Sequence, residues 1–520
     1  MERQAMNKNS KRCQEWLPRK KRFCASLALP GLEYCGNHRP STTEIRVPCL
    51  IDPSHTVLQS ELQIHAKKCP ALKQLQSASQ QPYFHEGMNA GSDDDGEDHR
   101  HVNYCLQEHN LLYHNLDNSE NPIARKGVSR GQQAGATLPM AEGNSTLKST
   151  SVSSKMKRSA VAVMHRAEFD DLLQRIESVH KNYCSEPEES VLQPMACCKW
   201  LESNIDKKLP FQEKHVVQQV SLLGNLENFG LTNSPTCNIR QCEVSYSEQT
   251  DVSNGCGIQK LVYVEFGAGR GYLSQMLCDC YGISNVLLVE RRSYKFKADR
   301  TLRQLSGVHF ARLRIDIENL NLEGVEMLQN SQFVGISKHL CGPATDLALR
   351  CCLATSANLS PNSNGRMEAS PLLYGIGIAT CCHHLCQWKS YVNKQFFVSL
   401  GFSPDEFHTI TWLTSWALSG DEEHGDGHDI SGSTCNYQEE KECNTGFSIA
   451  GERLNEVKQL LDKRERKALG MKCKQILDCG RLLWLKQNGL EVKFVQYVSE
   501  NVSPENKLLL ARWQHERIIL

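Results

Sequence analysis

The chain has 520 residues, of which 40% are hydrophobic and 23% charged, so it has enough apolar content to build globular cores. Lys+Arg and Asp+Glu number 59 each, and this balance excludes a uniformly basic coat for nucleic acid while leaving room for a local basic surface. The opening MERQAMNKNSKR has no apolar core of an export signal, and the longest apolar run, Leu372–Cys382, falls well short of the roughly 20 residues a membrane helix needs. An intracellular, reducing location (nucleus or cytoplasm) is therefore expected, in which 24 cysteines serve metals rather than disulfides.

Residues 11–71 are dense in Cys and His and locally basic. Cys13, Cys24, Cys35 and His38 form C-x10-C-x10-C-x2-H over a first unit, 11–40. Cys49, His55, His65 and Cys69 form C-x5-H-x9-H-x3-C over a second, 46–71. Each quartet supplies four soft or borderline ligands to tetrahedral Zn2+. Ligation would also give such short segments folding energy that no core of their size provides. Scattered free cysteines and surface histidines are the alternative, but two complete quartets in succession argue against it. Arg19-Lys20-Lys21-Arg22 and Lys67-Lys68 suit a phosphate backbone, although a charge run is also what a solvated face looks like.

Residues 72–157 contain the acidic run Asp93–Asp98 and then polar residues without periodicity, which reads as a disordered linker. Residues 158–235 return to helical spacing, with Phe169, Leu172, Leu173 and Ile176 on one face and a second apolar stretch from His215 to Leu231. A loop over 232–258 precedes the domain expected at 258–513. There LVYVEF, NVLLVE, RLRID, QFVGIS and LLYGIGIAT alternate with helical patterns, so a parallel sheet covered on both faces is predicted. EVKFVQYV and LLLARW flank a short loop and are expected to pair antiparallel. Residues 420–450 read as an exposed acidic insertion.

The first strand runs into Gly267, Gly269 and Gly271, a turn that permits close backbone approach to a ligand. Glu265 precedes it, Glu290 ends the next strand, where a carboxylate holds ribose hydroxyls, and Asp316 ends the third, within reach of an adenine amine. This acidic set suits S-adenosylmethionine, whose amino-acid and sulfonium parts are cationic; NAD and an unliganded Gly turn are the alternatives. The fourth and fifth strands end in Ser337-Lys338-His339-Leu340-Cys341-Gly342 and Cys381-Cys382-His383-His384. Lys338 and His383 are the candidate bases for a hydroxyl acceptor, with His339 and Asp346 behind them. Lys338 serves equally as a phosphate anchor, and His339, Cys341 and Cys382 could simply pack against the sheet. Cys381, Cys382, His383, His384 and Cys386 could form a metal site, though adjacent ligands are awkward around a tetrahedral ion.

Together the paired knots, VEFGAGRGYLS, SLLGNLENFG, SKHLCGPATDLALRC and ATCCHHLCQW resemble the tRNA 2′-O-methyltransferases that act on nucleotide 4 of the acceptor stem, known as tRNA:m(4)X modification enzymes. The second knot also resembles the CHHC finger of a minor-spliceosome protein, a finger type that binds RNA. The resemblance implies a Rossmann-like class I methyltransferase sheet, two zinc fingers (CCCH and CHHC), S-adenosylmethionine as donor, tRNA as partner, and ribose methylation of C or A. It supplies no base, so Lys338 and His383 rest on the residues alone, and it points to no membrane and no protein partner. Rival readings keep the donor but change the acceptor to another RNA or a protein, or make the chain a non-catalytic RNA-binding adaptor.

Overall fold

The computed structural model describes residues 12–17, 22–36, 38, 46–51, 55–93, 151–204, 210–232, 260–292, 297–354, 372–418 and 460–513. Arg19, Lys20 and Lys21, the loop over 233–258, most of the stretch read as linker, and the acidic insertion at 420–450 lie outside the described residues. The chain divides into two compact units, residues 1–81 and 82–520.

The first unit is built of small pieces. Strands β1 (Trp16–Leu17) and β2 (Arg22–Phe23) pair antiparallel, as do β3 (Arg46–Pro48) and β4 (Thr56–Leu58). Helix α1 (Leu62–Lys68) stops at Cys69, held extended because Pro70 follows, and Pro70 opens α2 (Pro70–Ala78). The first knot's buried apolar cluster consists of Cys13, Cys24 and Cys35 with Tyr34 against them, so sulfur stands where a larger fold would place Leu or Phe.

The second unit is organised by an eight-stranded sheet. In chain order its strands are β5 (Glu188–Glu189), β6 (Lys260–Phe266), β7 (Asn285–Val289), β8 (His309–Leu313), β9 (Ser331–Cys341), β10 (Leu372–Cys381), β11 (Leu490–Gln496) and β12 (Lys507–Trp513). Their order across the sheet is β5-β11-β12-β10-β9-β6-β7-β8. β6 through β10 run parallel to their neighbours, while β12 lies antiparallel to both β10 and β11, which is the predicted terminal pair. The mixed α/β class with its antiparallel pair is therefore as expected; β5 is an added edge strand.

Strand residues alternate between two cores, as period-2 geometry requires. Tyr263, Leu288, Ile336 and Leu510 face one cluster, and Val264, Leu287, Phe333 and Leu509 face the other. The first side is covered by helix α6 (Pro210–Asn228). It fits because β10 is bare there: a Cβ on Gly375 would meet Leu231 Cδ2 at 2.2 Å, and one on Gly377 would meet Leu226 Cδ2 at 2.3 Å. The GIG of LLYGIGIAT and Leu226 of SLLGNLENFG, with Leu231 just beyond it, are thus two halves of one contact. A third core joins α3 (Ser154–Val163), α4 (Arg166–Tyr183) and the long α12 (Lys463–Gln487), whose Asp462 forms a capping box with Glu465.

The described ends of the stretch read as linker are structured. Residues 72–78 continue α2, and residues 82–91 strap onto the sheet domain: Phe84 bridges Leu320, and Asn89 Nδ2 donates to the Ile317 and Leu320 carbonyls at 2.6 and 2.8 Å. Side-chain capping of backbone groups gives this strap its hold, which hydrophobic periodicity does not register. Residues 154–157 already belong to α3.

Filling the slot above β10 tests this packing. Gly377→Val should destabilise the fold by about 1–3 kcal/mol through overpacking, read as a lower melting temperature by calorimetry.

Candidate active site and zinc knots

The strand order reverses between β6 and β9, and open α/β sheets bind ligands at the carboxyl ends of strands flanking such a point. Those two ends carry Glu265 and Lys338. Glu265 is buried, and its Oε2 accepts from the Ser274 backbone N–H at 3.1 Å and from the Ser274 hydroxyl. Burial pushes its carboxyl up to about 7, against the opposing pull of the Ser274 hydrogen bonds.

The glycine turn between β6 and helix α7 (Tyr272–Tyr281) uses left-handed backbone at all three positions, with φ of 61°, 51° and 80° at Gly267, Gly269 and Gly271. Gly271 is also crowded, since a Cβ there would sit 2.8 Å from Leu288 Cδ2. The space over Gly269 is open: its added Cβ would find only the Gly267 carbonyl at 4.0 Å. Glu290 follows β7 and accepts from Gly269 N at 3.0 Å through Oε2 and from Arg292 N at 2.8 Å through Oε1. A carboxylate has about four acceptor positions, so it retains capacity for hydroxyl donors. Arg312 pins the turn from behind, donating to the Gly269 carbonyl at 3.1 Å and forming a buried ion pair with Asp299 at 2.6 Å. Asp316 lies three residues past the end of β8, partly exposed, where it caps a 3-10 turn and pairs with Arg291 at 2.9 Å.

Lys338 is 8% exposed, and its Nζ lies 3.0 Å from Nδ1 of His215, a residue of α6. Burial lowers the Lys338 ammonium to about 7, with the Glu265 carboxylate pulling the other way. Burial also lowers His215 to about 4, and the Lys338 charge adds to this, so the imidazole is neutral and can accept. His215 was legible only as the start of a helix; nothing in its spacing marks it as a partner of Lys338. His339 is exposed, with its ring edge-on to His215 at 6.1 Å between centroids. A Cβ on Gly267 would lie 3.3 Å from the His339 carbonyl, so the glycine turn and the Lys338 strand end share one rim.

Two candidates named from the sequence are placed differently. His383 is 2% exposed, and its Nε2 lies 2.9 Å from Asp478 Oδ2 in α12. Asp346 is fully buried and takes Arg481 at 2.7 and 3.1 Å. Arg481 also donates to Asp478 at 2.9 Å and to the Cys386 sulfur at 3.1 Å. His383 and Asp346 therefore belong to an internal polar network that shapes the CCHH turn, with His383 Nδ1 left without a hydrogen-bond partner among the described residues. The same engagement removes His383 and Cys386 from the metal set considered for the CCHH run. Lys157, from α3, completes the support by donating to the His384 and Cys386 carbonyls at 3.0 and 2.6 Å.

In the first unit both quartets converge. The ligand atoms of Cys13, Cys24, Cys35 and His38 all lie within 4.8 Å of one another, and so do those of Cys49, His55, His65 and Cys69. Cys13 and Cys35 Sγ are 3.5 and 3.3 Å from His38 Nδ1. In the second knot Cys49 Sγ lies 3.7 Å from Cys69 Sγ and 3.2 Å from His65 Nε2, and the two histidine Nε2 atoms are 3.0 Å apart. Ligands about 2.0–2.3 Å from one zinc sit about 3.3–3.8 Å from each other, so the donor sets fit a tetrahedral ion. Backbone hydrogen bonding at Ser26 lowers the Cys24 thiol to about 7, easing the ionisation that ligation requires.

Comparison with known proteins gives three family matches. The family model described as Methyltransferase TRM13 matches residues 217–512, the CCCH zinc finger in TRM13 protein matches residues 11–39, and the U11-48K-like CHHC zinc finger matches residues 46–70. The chain is similar to a tRNA:m(4)X modification enzyme TRM13 of Oryza sativa subsp. japonica, 36% identical over 55% of this chain and 91% of the relative. It is 28% identical to the Mus musculus homolog over 96% of this chain and 94% of that one, and 24% identical to the Saccharomyces cerevisiae enzyme over 96% and 95%.

The knot geometry has a direct consequence. Cys49→Ser should lower bound zinc by one equivalent per chain while leaving the unfolding transition of residues 82–520 in place. Metal analysis and calorimetry on the same preparation check both halves.

Proposed function

Since the chain belongs to the TRM13 methyltransferase family, we propose that it methylates a ribose 2′-hydroxyl of tRNA at nucleotide 4 of the acceptor stem, a cytidine or adenosine, with S-adenosylmethionine as donor. The observation that carries this reading is the desolvated Lys338 beside Glu265 at the reversal of strand order.

S-adenosylmethionine, when bound, supplies an electrophilic methyl group on a cationic sulfur. Glu265 and the turn at Gly267, Gly269 and Gly271 are the residues for its amino-acid part, Glu290 for its ribose hydroxyls, and Asp316 for the adenine amine. Lys338 is the base. A phosphate anchor needs a permanent charge and access to solvent, whereas burial here favours the neutral amine. His215 is a positioning residue: its neutral Nδ1 accepts from Lys338 Nζ and directs the remaining lone pair toward the acceptor hydroxyl. General base catalysis of this kind contributes about 10²–10⁴-fold.

The zinc unit is the tRNA grip. Arg12, Arg22, Lys67 and Lys68 are exposed, which suits phosphate contact. Residues 11–40 and 46–71 serve binding, and residues 258–513, with His215 from the helical segment 158–235, serve chemistry. We place the reaction inside the cell because its proposed substrate is tRNA; no helix among the described residues is long and apolar enough to cross a membrane.

Incubating the protein with labelled donor and total tRNA, then mapping the label, tests the reading. The expected product resists alkaline cleavage after nucleotide 4. Label on a base or on protein would redirect the acceptor assignment. Lys338→Ala should lower turnover by about 10²-fold or more with donor affinity little changed, and a wild-type rate in that variant would remove Lys338 from the mechanism. Glu265 is a carboxylate and Lys338 a free amine only above about 7, so turnover should rise as pH climbs through that value.

A further inference from the structure

Three cysteines that the proposed reaction does not use meet at the ends of β9 and β10. Cys341 and Cys381 are register partners on these neighbouring parallel strands, and their sulfurs are 3.7 Å apart. Cys382 is next in the chain, and in a regular strand its side chain would point to the opposite face. Instead its φ is 51°, a left-handed conformation that among the described non-glycine residues only Asn330 shares. All three sulfurs thereby come within 4.8 Å of one another.

The surroundings hold this turn in place. The Cys382 N–H donates to Glu505 Oε1 at 3.3 Å, and Glu505 is itself paired with Lys474 at 2.6 Å. A Cβ on Gly342 would meet Leu385 Cβ at 2.4 Å and the Cys382 carbonyl at 3.2 Å, so the two strand-end loops interlock. Cys381 is buried, while Cys341 and Cys382 are half-buried, which leaves an entry path for an ion. Strained backbone that gathers soft ligands points to a site rather than to packing.

From this geometry we infer that Cys341, Cys381 and Cys382 form a third metal centre, a three-thiolate seat for one zinc ion. The sulfur edge at 3.7 Å equals, within error, the roughly 3.8 Å expected between thiolates on one tetrahedral zinc. Binding releases the thiol protons to solvent as the three thiolates form, with no oxidant or reductant involved. Three protein ligands leave the fourth position for water or for His384, two residues on. The seat draws no ligand from either N-terminal quartet.

The test is a metal count on the full chain, purified without a histidine tag from zinc-supplemented cells and dialysed. Three zinc equivalents are expected in the wild type, and one fewer in each of Cys341→Ser and Cys382→Ala. A wild-type count of two, or an undiminished count in both variants, overturns the proposal. Alkylation of the wild type guards against misfolded variants: Cys382 should react slowly with iodoacetamide until zinc is stripped, and equal rates before and after stripping overturn it too. None of these readouts depends on methyl transfer, so failure here and failure of the tRNA reading are distinguishable.

Discussion

The proposed chemistry depends on one carboxylate and one ammonium taken out of water on adjacent strands. Register places Glu265 opposite Ile336, two residues before Lys338, so the two groups leave β6 and β9 side by side. Desolvation disfavours both charged forms and drives the carboxyl upward and the ammonium downward until both stand at about 7. Solvated Glu and Lys are about six units apart, and neither would change its charge near neutrality. The parallel sheet achieves this cheaply, because its strand ends are the places where polar groups emerge from a dry interior.

That rim must not move, and its support is drawn from distant parts of the chain. Lys157, Asp346, Asp478 and Arg481 close beneath the CCHH turn in one network. Burial alone would raise Asp478, yet His383 and Arg481 hold it near 2, so it stays ionised and keeps His383 fixed. Removing one member would leave its partners as uncompensated buried charges, a loss of about 3–5 kcal/mol. The arrangement ties His383, Asp346, Asp478 and Arg481 into one buried unit beneath the turn.

The legibility of the sequence tracks the range of the interactions involved. Strands β6, β7, β9 and β10 were readable because burial on both faces writes a short apolar run, and the glycine turn was readable because left-handed backbone demands Gly. The quartets were readable because a metal site collects rare residues at short spacing. His215 and Asp478 were not, since each matters through a contact distant in sequence, 123 residues from His215 to Lys338 and 98 and 95 residues from Asp478 to Thr380 and His383. The strap at 82–91 is illegible for a related reason: backbone hydrogen bonds to residues 318–321, side-chain capping by Asn89 and the packing of Tyr83 and Phe84 are all contacts distant in sequence.

Metal and sheet solve the same problem at different scales. A segment of some 30 residues cannot enclose enough apolar surface to hold a binding loop, so ligation replaces the core, and Cys13, Cys24 and Cys35 are themselves the buried cluster. The larger unit has apolar surface to spare, with two faces of one sheet and a third helical core. It uses that surplus to bury charges that a small fold could never tolerate. The two strategies stay separate along the chain: among the described residues, the groups that hydrogen-bond Lys338 and Glu265, His215 and Ser274, both come from residues after Pro82.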